Sequence, residues 1–472
     1  MRSTLRSGGP RHALALAATV GIVALCGPVP QAAAAPAENP DLNITPPPVD
    51  PSKPAPSGEL AVRPEYEKQH ACMAGSKGTP TIEEVPWSQR VLGFERAHAN
   101  GITGENQTVA VIDTGVNQHP RLDQLTPGGS SVSGGALKDC DGHGTIVAGI
   151  IAASSTPDTG YVGIAPDSNI LSIRQQSAVY QKPDSGETVG NTLTMAKAIR
   201  SATDQGANVI NISQSSCQPI ATAVGRRGNP QLHAAVKYAY ERDTVVVAAA
   251  GNTGKKCQKN SPGNPSTAVL PAWFDKYVLT VASVNQQGAP SKFTVPGPWV
   301  DVAAPGEDLV AIDPGVDGDG LVNRVSPDPN GQPQPVQGTS FAAPYVSGLA
   351  ALIQEKFREQ GDPLTAGEVI TRIEQTAMNP GAGNDIIGHG MIDPMAALND
   401  VIPAEHNAAA GPAEQRQLEA AVFPDRNWAA VAVAFGGTVG GLATVVFTAF
   451  LVNAVRKVRA RQEGETQSKL RL

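Results

Sequence analysis

The chain has 472 residues, among them 49 glycines and 40 prolines, with only 4% aromatic residues and a formal net charge of −7. This length and composition suit one large α/β domain of about 300 residues together with extended segments that form no core. The mild net acidity, and the lack of a Lys/Arg-rich stripe interleaved with aromatic residues, argue against a nucleic acid as partner.

The first 34 residues have the pattern of a secretory signal peptide. Arginines precede an apolar stretch from Ala13 to Cys26, which is too short to span a membrane, and an alanine-rich run follows. Cleavage after Ala34 satisfies the preference for small residues at the cut. We therefore expect the rest of the chain to reach an oxidising compartment outside the cytoplasm.

Residues 35–86 form an N-terminal extension whose first part, 36–57, is rich in proline. Such a composition predicts extended, polyproline-like chain without a core. The extension is short for an independently folded inhibitory domain and its linker. We expect it to wrap around the following domain and to stay attached, instead of leaving as a folded propeptide.

Four cysteines remain once Cys26 leaves with the signal peptide, namely Cys72, Cys140, Cys217 and Cys257. An even number of cysteines in an exported protein indicates disulfide bonds. Four cysteines allow three connectivities, and their positions do not choose among these. A metal site is disfavoured, because no C-x-x-C spacing is present.

Three separated segments within residues 87–400 each contain a residue that acyl transfer requires. Asp113 follows the apolar, β-branched run 108–112, which predicts a strand, while His143 and Ser340 each open an apolar, small-residue helical pattern. Open α/β sheets place their ligands at the carboxyl ends of the strands. We therefore expect the three side chains to meet at one edge of a sheet.

A serine hydroxyl becomes a nucleophile when an imidazole takes its proton, and a carboxylate orients that imidazole. The pattern predicts Ser340 as nucleophile, His143 as general base and then acid, and Asp113 as the orienting carboxylate. A further buried strand, 244–250, is followed by Asn252, whose amide we expect to donate to the oxyanion beside the Ser340 N–H. No catalytic metal or other cofactor is implied.

The chain order Asp, His, Ser resembles that of subtilisin-like serine proteases and differs from the order in chymotrypsin and in α/β-hydrolases. The resemblance covers roughly residues 87–400. It implies an α/β fold, a subtilisin-like three-layer α/β/α architecture with a mostly parallel central sheet. It also implies serine endopeptidase activity on peptide bonds of protein or peptide substrates.

The segment 209–213 resembles the edge strand that pairs with the substrate backbone in this family. The resemblance makes Ser213, Gln214 and Ser215 the candidate substrate-binding residues. The chain departs from the family pattern here, because Gln214 and Ser215 stand where a Leu-Gly pair is usual. The preference of the pocket next to the scissile bond therefore cannot be carried over from the family.

Long loops rich in glycine, proline and polar residues are predicted at 175–190, 219–230 and 313–337. The last one contains Asp313 and other acidic residues. Their spacing does not match that of an EF-hand loop, so we expect a solvated acidic turn in preference to a Ca²⁺ site.

The C-terminal part has the pattern of a membrane anchor. No charged residue occurs from Asn427 to Val455, which is long enough to cross the hydrocarbon core, so we predict a transmembrane helix at 428–455. Residues 401–427 then form a linker. The tail 456–472 opens with several basic residues, and the positive-inside rule predicts that it is cytoplasmic.

Within the subtilisin-like proteases, this architecture is most similar to that of the mycosins, the membrane-anchored proteases of actinobacterial type VII secretion. That resemblance favours the disulfides Cys72–Cys140 and Cys217–Cys257. It implies a single-pass protein of the cell membrane with an extracytoplasmic catalytic domain, and membrane components of type VII secretion as partners.

An alternative from another functional class stays open. The chain would then be mainly a structural or stabilising subunit of the secretion membrane complex, with minor peptidase activity. The intact set Asp113, His143 and Ser340 argues against an inactive enzyme. The membrane anchor, and the pair Gly436 and Gly440 that suits helix association in lipid, are compatible with both functions.

Overall fold

The computed structural model describes residues 44–76, 82–223, 225–254, 256–326, 332–378, 383–402 and 447–457. The chain divides after Ile402 into two compact units, and each is described by itself. The predicted signal peptide 1–34, and most of the predicted linker 401–427, lie outside the described residues. So do the tail 456–472 beyond its first two residues and most of the predicted transmembrane helix 428–455.

The strands are β1 Glu67–Lys68, β2 Thr108–Asp113, β3 Leu125–Ser130, β4 Asn169–Arg174, β5 Ser177–Gln181, β6 Thr188–Val189, β7 Val209–Ile212, β8 Ser216–Pro219, β9 Val245–Ala249, β10 Thr267–Leu270, β11 Leu279–Val284, β12 Val302–Pro305, β13 Ala311–Ile312, β14 Leu321–Val322, β15 Arg324–Val325 and β16 Gln334–Pro335. The helices are α1 Trp87–Leu92, α2 Glu95–His98, α3 His143–Ala152, α4 Thr192–Asp204, α5 Ile220–Ala223, α6 Asn229–Tyr240, α7 Thr339–Glu359, α8 Ala366–Gln375 and α9 Pro394–Asn399, with a 3₁₀ turn at Asp275–Tyr277.

A seven-stranded sheet with the order β12-β11-β9-β7-β2-β4-β3 forms the centre of the first unit. Each pair of neighbouring strands in it is parallel. Strands such as β9 are buried along their whole length and are continuous runs of valine and alanine, as expected where helices cover both faces of a parallel sheet. The predicted α/β fold with a mostly parallel central sheet is confirmed.

Alternate residues of β2 belong to two hydrophobic clusters, one on each face of the sheet. Val109 and Val111 pack in the cluster that contains the apolar residues of α3 and α7. Ala110 and Ile112 pack in the cluster that contains those of α4 and α6. This alternation follows from the two-residue period of a strand and yields three layers, helix, sheet and helix.

One prediction about the sheet is wrong. Residues 209–212, expected to be an edge strand, form β7, which pairs with β2 on one side and with β9 on the other. Its backbone groups are therefore used within the sheet and are not free to pair with a substrate. After Ile212 the chain leaves the sheet at its carboxyl edge, where Ser213 is still buried and Ser215 reaches the surface.

The predicted loops contain more regular structure than their composition indicated. Residues 175–190 include the antiparallel strands β5 and β6, and β1 of the N-terminal extension pairs with β5 to form a small sheet. Residues 219–230 include helix α5. Glycine and proline in a sequence mark turns, but they do not reveal which short segments pair across a distance.

The described part of the extension lies along the surface of the first unit and is held by separate contacts. The indole N–H of Trp273 donates to the carbonyl oxygen of Ile44 at 2.7 Å. Further along, the Arg63 N–H donates to the carbonyl oxygen of Ser131 at 3.1 Å, and the Met73 N–H to that of Cys140 at 2.9 Å.

The acidic turn is not solvated at its first residue, contrary to our expectation. Asp313 is buried, and its carboxylate accepts hydrogen bonds from the backbone N–H groups of Ser76, at 2.6 Å, and of Gly315, at 3.0 Å. Burial of this carboxylate is tolerated because backbone donors replace water. One of those donors, the Ser76 N–H, belongs to the extension. The sequence around Asp313 does not indicate this contact.

In the second unit, residues 447–457 are helical and exposed. Within the described ranges, no helix combines the length and the apolar character that crossing a membrane requires.

Candidate active site

The candidate site forms where β2 ends and α3 begins. Asp113 is the last residue of β2, and His143 is the first residue of α3. Gly144 allows the two segments to approach, because a Cβ on it would lie only 2.1 Å from the Gly115 carbonyl oxygen and 3.1 Å from the Asp113 Cβ. Glycine is therefore required at this position by close packing of the backbone.

Asp113 and His143 contact each other directly. The distance from His143 Nδ1 to Asp113 Oδ1 is 2.8 Å, and the same oxygen accepts from the Thr114 N–H at 2.7 Å. Burial by itself lowers the pKa of His143, but the charge of Asp113 and its hydrogen bond outweigh this effect, so the net pKa is raised above its ordinary value. The contact orients the ring and favours its protonated form.

Ser340 is the second residue of α7 and is buried apart from 7% of its surface. The preceding Gly338 has a φ of 150°, and a Cβ there would lie 2.9 Å from Ser340 Oγ. Phe341, the next residue, packs against the His143 ring with a centroid distance of 4.9 Å. The serine hydroxyl therefore lies at the start of a long buried helix, next to the Phe341 ring that packs against the His143 imidazole.

Asn252 follows β9, and its amide has one defined orientation. Its Oδ1 accepts from the Thr339 N–H at 3.0 Å and from Thr339 Oγ1 at 3.1 Å. This leaves Nδ2 as the outward donor. A Cβ on Gly338 would lie 3.4 Å from this Nδ2 as well as close to Ser340 Oγ, so both groups border the same small space.

A cleft of about 880 Å³ brings these residues together. His143, Asn252 and Ser340 border it, and so do the predicted substrate-binding residues, which are Ser213, Gln214 and Ser215. Asp113 lies behind His143 with a fully buried side chain. Within the described residues, no group of acidic residues, histidines and cysteines is arranged to hold a metal ion.

The three predicted substrate-binding residues differ in what their side chains do. The Ser213 hydroxyl donates to the carbonyl oxygen of Ser340 at 2.6 Å, so it supports the start of α7. Gln214 Nε2 donates to Asp113 Oδ1 at 3.2 Å and lies 3.3 Å from His143 Nδ1. Gln214 therefore contacts the candidate catalytic pair, which its position in the sequence did not suggest.

Both disulfides favoured by the resemblance are present, Cys72–Cys140 and Cys217–Cys257. The first joins the extension to the segment that leads into His143. Next to it in the chain, His70 and Ala71 border the cleft. Sequence reasoning missed this wall of the cleft, because the contact depends on where a flexible-looking segment docks.

Sequence reasoning also missed Asp139, a fully buried carboxyl in the same segment. Burial raises its pKa to about 6, although hydrogen bonds from Thr145 and Thr114 oppose this shift. The closely spaced acidic residues Asp139 and Asp141 just before His143 are visible in the sequence. The surrounding sequence does not indicate that Asp139 is buried and that Asp141 borders the cleft.

Comparison with known proteins gives a match to the model of the Subtilase family over residues 104–390. Mycosin-4 of Mycobacterium tuberculosis strain H37Rv is 49% identical over 325 residues, which are 66% of this chain and 69% of that protein.

Two solved structures are also similar. The MycP3 protease from the type VII (ESX-3) secretion system has a TM-score of 0.68 and 38% identity, and the match covers 76% of this chain and 100% of that chain. A chain in the periplasmic assembly from the ESX-5 inner membrane complex has a TM-score of 0.68 and 36% identity, over 81% of this chain and 99% of that one.

Proposed function

The chain belongs to the subtilase family of serine proteases, and we propose that it is a mycosin-type endopeptidase, anchored in the cell membrane, that processes proteins outside the cytoplasm in association with a type VII secretion complex. The membership rests on a family match that spans the candidate site. The finer proposal draws on the site geometry, on the relatives and on the sequence at both ends of the chain.

The single observation that carries the proposed chemistry is the 2.8 Å contact between Asp113 and His143 in a cleft that Ser340 also borders. In this proposal Ser340 attacks the scissile carbonyl, and His143 accepts the hydroxyl proton and later gives it to the leaving amine. Asp113 keeps Nδ1 protonated and stabilises the imidazolium.

In the same proposal two donors bind the oxyanion, the Asn252 side-chain amide and the Ser340 N–H, and both lie beside the start of α7. Asn252 Nδ2 is free to donate, because Oδ1 of that amide is occupied by Thr339. The Ser340 N–H lies at the helix N-terminus, where the helix dipole also favours negative charge. Donors that are held in place before the reaction stabilise the charge as it develops, without reorganising.

Membrane anchoring is proposed from the sequence. The uncharged segment 428–455 is long enough to span the hydrocarbon core, and the basic residues after it favour a cytoplasmic C-terminus. In this arrangement residues 87–400 form the peptidase domain, and residues 401–427 connect it to the membrane. The signal peptide at 1–34 agrees with this orientation, since it directs the N-terminal side outward.

A second candidate function is a structural role in the secretion complex. One observation favours it, namely the similarity to a chain that is part of the periplasmic assembly of the ESX-5 inner membrane complex. The two functions depend on different residues. Catalysis depends on Ser340, whereas assembly through a membrane helix depends on close approach at residues such as Gly436 and Gly440.

The catalytic assignment is tested with Ser340→Ala and Asn252→Ala in the purified protein. Loss of the nucleophile should lower peptide hydrolysis by on the order of 10⁶, whereas loss of one oxyanion donor should lower it by roughly 10²–10³. A fluorophosphonate probe should label Ser340 in the wild type, and the label should disappear in His143→Ala. Substantial hydrolysis by Ser340→Ala would contradict the assignment.

The structural function is tested in cells that carry Ser340→Ala, a deletion of the whole chain, or Gly436→Leu together with Gly440→Leu. If secretion continues in Ser340→Ala but stops in the deletion, the essential role is structural. The glycine variant should weaken co-purification with membrane components, because leucine prevents close helix packing, while hydrolysis by the peptidase domain stays unchanged. Normal co-purification would limit the helix to anchoring.

A further inference from the structure

Asp139 occupies a central position behind the candidate active site. It is completely buried, and it comes directly before Cys140 of the Cys72–Cys140 bridge and four residues before His143. It does not belong to the proposed set of catalytic residues, since Asp113 already contacts the imidazole. A buried carboxyl without a function in the reaction is costly, so the contacts that surround it need an explanation.

Both oxygens of Asp139 accept several hydrogen bonds. Oδ1 accepts from Thr114 Oγ1 at 2.8 Å, from the Gly142 N–H at 2.8 Å and from the Asp141 N–H at 3.1 Å. Oδ2 accepts from the N–H and the hydroxyl of Thr145, at 2.9 and 2.8 Å. The carboxyl group thus holds the backbone just before His143 and the first turn of α3 just after it.

Thr114 extends this arrangement to the other candidate catalytic residue. Its hydroxyl donates to Asp139, and it also accepts from the Gly144 N–H at 3.0 Å. Its backbone N–H donates to Asp113 Oδ1 at 2.7 Å. One hydroxyl therefore connects the end of β2, which carries Asp113, to the start of α3, which carries His143.

The charged and titratable groups around Asp139 come from several elements. Burial raises the pKa of Asp139 to about 6 against the hydrogen bonds from Thr145 and Thr114, and the charge of Asp113 on β2 adds a smaller rise. The buried guanidinium of Arg174, at the end of β4, is stabilised by the charges of Asp139 and Asp141. The charges of Asp139 and Asp141 also help to raise the pKa of His143.

We propose that Asp139 is a positioning residue, which holds Asp113 and His143 in register through Thr114 and the N-terminus of α3 and adds a second negative charge behind the imidazole. This inference rests on the proposed function, because it assigns Asp139 a role in orienting the catalytic pair. Asp139 does not touch the substrate or the reacting atoms. It acts through the position and the protonation of His143.

The proposal predicts two separable effects, one of geometry and one of charge. Asp139→Asn keeps the shape but has only one acceptor oxygen, so the bonds to at least one side are lost. Asp139→Asn also removes a negative charge near the imidazole, and this should lower the pKa of His143. Thr114→Val removes the connecting hydroxyl and keeps the carboxyl group of Asp139.

The test measures kcat, KM and the acid limb of the kcat/KM profile for these variants in the purified full chain. Asp139→Asn should lower kcat by about 10- to 100-fold with little change in KM, because misplacement of catalytic groups affects mainly the chemical step. Its acid limb should shift to lower pH. Thr114→Val should lower kcat in the same range, with a smaller shift of the acid limb than Asp139→Asn causes.

Asp301→Asn is a matched control. Asp301 precedes β12, at the opposite end of the sheet from the site; burial raises its pKa well above the ordinary value, and it accepts from the Thr280 N–H at 2.7 Å. This variant should keep the wild-type kcat and acid limb, whatever its effect on stability. Thermal unfolding of each variant, measured in parallel, separates effects on folding from effects on the site.

The outcomes are decisive in each case. A wild-type kcat and an unmoved acid limb in Asp139→Asn would overturn the proposal, and so would equal losses of kcat in Asp139→Asn and Asp301→Asn. If Asp139→Asn does not fold, Thr114→Val decides, and a wild-type kcat there overturns it. Ser340→Ala is assayed alongside, because hydrolysis by that variant would defeat the proposed function itself and not only the role of Asp139.

Discussion

The sheet-centred domain and the N-terminal extension are held in place by different physical means. In the domain, strands such as β9 and helices such as α7 bury continuous apolar surface in two clusters. The extension, in residues 44–76, buries few apolar side chains, among them Leu60 and Tyr66, and is otherwise attached by single hydrogen bonds, a two-residue strand and one disulfide. Apolar burial stabilises the first region along its whole length, whereas the second region combines a few buried side chains with specific polar contacts.

The difference matters because the weakly held region reaches the strongly held site. His70 and Ala71 of the extension border the cleft, and Cys72 is bonded to Cys140 shortly before His143. Local opening free energies are lowest where few apolar groups are buried. We therefore expect one end of the extension to open before the domain unfolds, while its bridged part stays next to the segment that leads into His143.

The largest expected difference between the two regions is in the effect of removing an apolar side chain. Ile150→Ala truncates a residue of α3 that is 1% exposed, and it should lower the free energy of unfolding by about 2–5 kcal/mol. Val62→Ala in the extension removes atoms from a residue that is 49% exposed, and it should change this free energy by less than about 0.5 kcal/mol. Denaturant titration of both variants provides the measurement, and comparable losses would mean that the extension is an integral part of the core.

The two disulfides should differ in how strongly each holds the extension. Replacing Cys72 and Cys140 by serine should lower the free energy of opening the extension by about 2–4 kcal/mol, so tryptic cleavage after Arg63 or Lys68 should accelerate by on the order of 10². Replacing Cys217 and Cys257, which bridge two segments within the domain, is the matched control and should leave this cleavage rate unchanged. Continued protection of the extension in the first variant would show that its hydrogen bonds suffice.

The smallest expected effect concerns one hydrogen bond at the start of the described extension. Trp273→Phe removes the indole N–H that donates to Ile44, whereas Trp299→Phe removes a buried indole N–H that has no partner among the described residues. Both changes leave a similar cavity. Trp273→Phe should therefore cost about 0.5–1.5 kcal/mol more free energy of unfolding than Trp299→Phe. Equal costs would assign no net stabilisation to this contact.

The fold class and the candidate catalytic residues follow from short patterns in the amino-acid sequence. Asp113 ends a β-branched run, and His143 and Ser340 open small-residue helices, so local propensity and the rule for strand ends already bring them to one edge of a sheet. The same reasoning identified Asn252 after β9. These features depend on short stretches of chain, in which the residue pattern and the local structure agree.

Features that depend on contacts between distant segments become visible only in the folded chain. The central position of β7 depends on its pairing with β2 and β9. The sequence does not reveal it, because an apolar run has the same residue pattern in the middle of a sheet as at its edge. The burial of Asp139 and Asp313 requires donors from Thr114, Thr145 and Ser76. A carboxylate is stable in the interior only where such donors replace water, and their positions are a property of the folded chain and not of any local pattern.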